Sequence, residues 1–307
     1  MRTTTPLIFG LVLVPGALLL NTQEQTLADT DVSASQIGLQ VASILSKPAV
    51  VKHERTVVKH IQRTESVSPR KRVVATIVET PVAESAPDIL PVLNKPDIEM
   101  RHKLIANNVL LSLPAKCRNT LQTFYVRYEK PKNRGLAGKS VMILDGTVSD
   151  EEFRALFVHE SGHNWDLGCF RGTLEGGKSP YSDGETPIYK DDPSVGFYSI
   201  SFITSKVQRS NMRPEDFVSG YASYDIFEDF AESFAYFVLQ NSEFRTPAQD
   251  NAVLAQKYNW ILTNIFDGEI PKIATGKSNW NQKVPWDITK LKYEWNGEEL
   301  TLAQNKY

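Results

Sequence analysis

Residues 155–167 read ALFVHESGHNWDL, and within them His159, Glu160, Ser161, Gly162 and His163 spell H-E-x-x-H inside an apolar run. On an α-helix successive residues turn by about 100°, so side chains four apart project along nearly one line and both imidazoles can reach one metal ion. Glu160, one position past the first histidine, then stands beside the ion rather than on it. A zinc ion with two or three protein ligands keeps a position for water and lowers the pKa of that water toward about 7. A neighbouring carboxylate can take the proton and hand it to a leaving amine, which is the chemistry of peptide hydrolysis. The competing reading is a pair of buried, hydrogen-bonded imidazoles without metal. Helix signals flank the pentad: Ser149 and Glu152 have capping-box spacing, so the helix is predicted to begin at Asp150, and Gly168 offers a stop after Leu167.

A chain of 307 residues has room for one catalytic domain plus appendages, and a formal charge of −2 gives no electrostatic reason to expect nucleic acid. Arg2 followed by the apolar residues 6–20, PLIFGLVLVPGALLL, suits an export signal better than a spanning helix. No cysteine follows this stretch, which excludes a lipoprotein box. Small-residue cleavage candidates lie at 26–28 and 32–34, both weak, so residues 1–28 are expected to be a signal peptide or an uncleaved membrane anchor. Either outcome makes the protein secreted or extracytoplasmic. Cys117 and Cys169 are the two cysteines of the chain. In an exported protein they are placed to form a disulfide between the segment before the first strand and the end of the histidine helix, two buried thiols being the alternative.

Residues 29–96, rich in Val, Thr, Ser, Pro, Lys and Glu, read as a disordered linker or pro-segment. Within them Val50-Val51-Lys52-His53 recurs as Val57-Val58-Lys59-His60, and a basic stretch runs on to Arg70-Lys71-Arg72. Residues 97–270 are assigned to the compact domain and 271–307 to a C-terminal extension without a clear signal. Apolar spacing predicts a helix over 98–113, and alternation predicts strands over 121–128 and 140–144. Residues 168–196, dominated by Gly, Ser, Pro, Asp and Lys, read as a long irregular loop at a cleft rim. Its acids Asp183, Glu185, Asp191 and Asp192 lack the spacing of a calcium loop and read as solvated. A strand is predicted over 197–204, with helices over 226–240 and 248–266. An exposed strand edge beside the histidine helix would suit an extended peptide.

Residues 221–237, YASYDIFEDFAESFAYF, place Phe227, Phe230, Phe234 and Phe237 on one face of an amphipathic helix. Glu228 and Glu232 sit four apart on another face. Such a pair can put one carboxylate on a metal and the other behind a ligand histidine. Against this, Asp225 and Glu228 have capping-box spacing, which would make Glu228 a helix-start residue, and Glu232 would then face solvent.

The segment Glu228-Asp229-Phe230-Ala231-Glu232, with Tyr221 seven residues ahead and HESGH upstream, resembles the anthrax lethal factor-like and Pro-Pro endopeptidase-like zinc metallopeptidases. The resemblance covers about 141–238. It implies an α+β, zincin-like metallopeptidase domain of the gluzincin type, with a small sheet, an H-E-x-x-H helix and a second helix carrying the third ligand. It further implies zinc ligands His159, His163 and Glu228, the general base Glu160, Tyr221 as donor to the oxyanion, and Glu232 behind a ligand histidine. The separation of 65 residues from His163 to Glu228 looks longer than the family's. Asp166 competes as third ligand and Tyr224 as the phenol. The function so implied is an exported zinc endopeptidase acting on peptide or protein substrates. The rival is a non-catalytic cell-surface binding protein on the same scaffold.

Overall fold

The computed structural model describes residues 88–273 and 283–293. The N-terminal apolar segment, the His53/His60 repeat, the basic stretch at 70–72, Trp280 and Trp295 lie outside the described residues, as does nearly all of the expected linker. Among the described residues no helix is long and apolar enough to cross a membrane. The architecture is mixed α+β, with small sheets and several helices.

Helix α1, Met100–Ser112, buries Ile105, Ala106, Val109 and Leu110, and stops where Leu113 turns extended ahead of Pro114. Leu93 is fully buried, and Leu90 donates its N–H to Asn107 of α1, so packing already begins before Asp97. Strands β1 (Thr123–Arg127), β2 (Gly135–Ala137) and β3 (Val141–Asp145) form one sheet in the order β1-β3-β2. β1 runs parallel to the central β3 and β2 runs antiparallel to it. The apolar run Met142-Ile143-Leu144 suits that central place, since both of its faces are covered.

Helix α2, Asp150–Asn164, starts as expected: Ser149 Oγ accepts the Glu152 N–H at 3.2 Å, and three acids occupy its positive first turn. Glu152 does not complete the capping box, because its carboxylate accepts from Arg134 instead, at 2.7 Å. The expected stop at Gly168 is displaced. The α-helix closes at Asn164 and the chain continues through a wider π turn, Trp165–Cys169. Gly168 serves close approach rather than a left-handed cap, since a Cβ there would stand 1.9 Å from the Lys139 carbonyl. Cys169 is bonded to Cys117, with Cα atoms 5.5 Å apart.

The region read as an irregular loop holds an antiparallel hairpin, β4 (Lys178–Asp183) and β5 (Thr186–Tyr189), turned at Gly184 with φ +57°. The predicted strand over 197–204 is corrected to helix α3, Ser194–Ser201. Its buried residues Ser194, Phe197, Tyr198 and Ser201 follow the helical interval of three and four, a period hidden within the apparent alternation. Helix α4, Ile226–Leu239, buries every residue from Asp229 onward against α2 and the helices that follow. The helix predicted over 248–266 is α6, Ala252–Asn264, started by Asn251 Oδ1, which accepts the N–H groups of Val253 and Leu254, and a further helix not expected from the sequence, α5 (Asn241–Ala248), precedes it. Lys257 of α6 is fully buried and donates to Asp229 Oδ1 at 2.8 Å and to the Asp216 carbonyl at 3.0 Å, fixing α6 beneath α4. α2 thus lies between the three-stranded sheet and α4.

Candidate metal centre

Gly162, the second intervening residue of the pentad, sets the distance between the two helices that build the site. A Cβ there would stand 2.9 Å from Ala231 Cα, so α2 and α4 touch backbone to backbone. His159 and His163 flank that contact on α2, their ring centroids 5.0 Å apart. Glu228 and Glu232 flank it on α4.

At this separation Glu228 Oε2 lies 3.3 Å from His159 Nε2 and 3.6 Å from His163 Nε2. One ligand atom from each of the three residues lies within 4.8 Å of the others. Among the described residues no other group of histidines, cysteines and acids converges in this way. Asp225 settles the rivalry over the helix start: its Oδ1 accepts the N–H groups of Phe227 and Glu228, leaving the Glu228 carboxylate for the imidazoles. Tyr221 OH donates to Glu228 Oε1 at 2.8 Å, whereas Oε2 is buried and receives no hydrogen bond. Three electron-pair donors facing one another around an orphaned carboxylate oxygen fit a divalent cation, which satisfies all of them at once.

Glu232 is fully buried behind His159. Its Oε1 lies 2.8 Å from His159 Nδ1, a hydrogen-bonding distance when Nδ1 carries the proton. Its Oε2 accepts from Ser219 Oγ at 2.5 Å and from the Ile288 N–H at 3.0 Å. The Nδ1–H tautomer so favoured turns the Nε2 lone pair toward Glu228. Burial alone would lower the pKa of His159, but Glu228 and Glu232 outweigh it and hold it well above its ordinary value. The same balance, with Glu228 as partner, raises His163. Burial opposes ionisation of Glu228, yet the two imidazoles hold its carboxyl far below the usual range.

Glu160 is 5% exposed and packs on the sheet edge: a Cβ at Gly135 of β2 would meet Glu160 Oε1 at 2.1 Å. Burial pushes its carboxyl upward against the pull of the two histidines. Tyr221 stacks on His159 with centroids 6.2 Å apart, and burial and Glu228 together keep its hydroxyl protonated. The two competitors stand elsewhere. Asp166 turns toward α3, where Tyr198 OH donates to it at 2.5 Å and burial pushes its carboxyl up to about 7. Tyr224 is 45% exposed and stacks on Tyr221. Of the loop acids, Asp191 is held by Thr173 and Asp192 accepts from the Ser194 N–H.

The C-terminal residues contribute what side-chain patterns do not announce. Gly220 and Tyr221 donate their N–H groups to the carbonyls of Pro285 and Trp286, at 2.7 and 2.8 Å. Arg134, next to Gly135, bonds Asp287 and donates to Thr289 Oγ1 at 2.8 Å. Residues 285–289 therefore tie together the segment bearing Tyr221, the carboxylate behind His159 and the sheet edge beside Glu160. No protein-family model, curated protein or solved structure matches this chain.

Proposed function

We propose that this chain is an exported zinc endopeptidase of zincin-like architecture, secreted or held at the membrane by its N-terminal segment. The observation that carries the reading is the convergence of His159 Nε2, His163 Nε2 and the unpartnered Glu228 Oε2, with Glu160 beside them and not among them. When bound by these three residues, zinc supplies a Lewis acid that polarises the scissile carbonyl and acidifies water. Glu160, one position past the first ligand and beside the histidine face, takes the proton of the attacking water and returns it to the leaving amine. Its desolvated carboxyl is a stronger base than an exposed glutamate. Tyr221 donates its hydroxyl proton to Glu228 Oε1 at rest and to the oxyanion as charge develops there. Glu232, held by Ser219 and Ile288, fixes the tautomer and orientation of His159. A purely structural metal favours four protein ligands and has no use for an ordered carboxylate next to the first histidine.

The test uses Glu160→Gln and Glu228→Ala in the full-length protein. Glu160→Gln is expected to retain about one zinc per chain and to lose peptide hydrolysis by at least about a hundredfold. Glu228→Ala is expected to lose the metal. Full turnover by Glu160→Gln would refute the assignment of the base.

A further inference from the structure

Beside the metal centre lies a cleft of about 660 Å³ with no assigned role, a size that suits a small ligand or one or two side chains. Its walls include Ser219 and Gly220 and, facing them, Lys283 to Trp286, with Arg213 and Phe217 among the other lining residues. Both walls belong to the site already described. Ser219 Oγ holds Glu232, and Gly220 is followed by Tyr221. A Cβ at Gly220 would stand 2.5 Å from the Trp286 ring, so the missing side chain lets the indole lie on the backbone. Trp286 is nonetheless 67% exposed. From metal to cleft the rings form a row: His159 to Tyr221 is 6.2 Å and Tyr221 to Trp286 is 6.3 Å between centroids. Two such steps are the reach of about four extended residues.

The charge of the cleft is one-sided. Its lining includes Arg213 and Lys283 and no acid. Arg213 spends one N–H group on Asp216 Oδ1 at 3.2 Å while its side chain remains 67% exposed. Residues 195–213, which pass along this rim, contain Lys206, Arg209 and Arg213 without a single acid. Ile203 and Val207, each about half exposed, precede Gln208 of the lining, and Tyr224, also about half exposed, follows Ser223 of the lining. A cleft with an exposed indole, adjoining apolar surface, Lys283 and an exposed Arg213 that pairs with Asp216 through one N–H group is complementary to a carboxylate next to an apolar group.

We propose that this cleft is a substrate subsite that takes an acidic residue flanked by an apolar or aromatic one, up to about four positions from the scissile bond. The inference rests on the peptidase reading for the direction of the chain, but not for the chemistry of the cleft. Peptide pairs that carry Glu or Gln beside Phe are titrated by fluorescence anisotropy into zinc-loaded, full-length Glu160→Gln protein. The Glu peptides are expected to bind about five- to tenfold more tightly at low salt, from two exposed ion pairs, and the advantage is expected to shrink at 0.5 M salt. Arg213→Gln combined with Lys283→Gln is expected to abolish it while binding of the Gln peptides stays unchanged. Equal binding of Glu and Gln peptides, binding of neither, or a preference that survives the double substitution would overturn the subsite. Acid-selective binding in a wild-type protein that cleaves no peptide would overturn the peptidase reading alone.

Discussion

Gly162→Ala tests whether the metal centre depends on helices in backbone contact. The added Cβ would stand 2.9 Å from Ala231 Cα, 3.3 Å from its Cβ and 3.5 Å from its carbonyl oxygen. Carbon atoms rest at about 3.5–4.0 Å, so α2 and α4 must part by roughly 0.6–1 Å, and backbone cannot yield as a side-chain tip would. Overpacking of this kind costs about 1–3 kcal/mol, offset by about 1 kcal/mol because alanine favours a helix interior over glycine. The net loss of about 0–2 kcal/mol lowers the melting temperature of the metal-free protein by at most about 8 °C. Metal affinity should suffer more, because Glu228 recedes from two imidazoles by several times the roughly 0.2 Å that a zinc site tolerates. The expected outcome is a zinc Kd at least about tenfold weaker, measured by chelator competition, with a modest change in melting temperature. Ser161→Ala is the control, since Ser161 Oγ only donates back to the Phe157 carbonyl of its own helix. Unchanged zinc affinity in Gly162→Ala would refute the argument that this contact sets the ligand geometry.

Gly135→Ala places a Cβ 2.1 Å from Glu160 Oε1, and the carboxylate can move aside, so zinc content should hold while kcat/KM falls about a hundredfold; equal activity would show that Glu160 does not act from this position. The Cys117–Cys169 bond closes a 52-residue separation, so replacing both cysteines with serine should cost about 4 kcal/mol in urea denaturation, and a midpoint insensitive to reductant would contradict the bridge. His102 is buried between Phe153 and Tyr128, and desolvation, with Arg101 adding to it, lowers its pKa from 6.5 to about 4. A depressed histidine pKa means the unfolded chain takes the proton first, so stability is unaffected above pH 6.5 and is lost progressively from there to about pH 4. The loss is at most about 3–4 kcal/mol, and in His102→Gln the acid-side slope of the urea midpoint should flatten; an unchanged slope would assign it to other groups.

What the sequence discloses and what it withholds divide along a physical line. His159, Glu160 and His163 are legible because one helix places them by local periodicity alone, and α4 is legible because four phenylalanines mark its inner face. The β4–β5 hairpin is hidden because, in its run KSPYSDGETPIY, only Tyr181 and Ile188 are buried apolar residues, too few to set a period. α3 is misread because FYSISFIT satisfies alternation and a helical interval together, and tertiary burial of Phe197 and Tyr198 decides between them. Residues 285–289 are invisible for another reason: the Ile288 N–H and the carbonyls of Pro285 and Trp286 act through the backbone, which every residue possesses. Among their side-chain contacts, Asp287 with Arg134 spans 153 residues, beyond any local pattern.

Glu228 and Glu232 show what the structure adds to two residues of one type on one helix face. The capping-box spacing from Asp225 reaches Glu228 alone, and only the resemblance gives the two different roles. Their hydrogen bonds differ. Glu232 Oε2 accepts from a hydroxyl and a backbone N–H, and its Oε1 lies 2.8 Å from the Nδ1 of one imidazole, that of His159. Glu228 receives one phenol on Oε1 and nothing on Oε2, the oxygen that faces both Nε2 atoms. A cation facing Glu228 Oε2 would meet both imidazoles, whereas one facing Glu232 Oε1 would meet His159 alone, so on the proposed reading Glu228 is the ligand and Glu232 its support. Asp166 also keeps one oxygen without a donor, Oδ2, but its Oδ1 accepts from Tyr198 of α3 and it does not converge with the two histidines. On the proposed reading the ligand set therefore follows from convergence, since among the described residues Glu228 is the acid that comes together with both histidines.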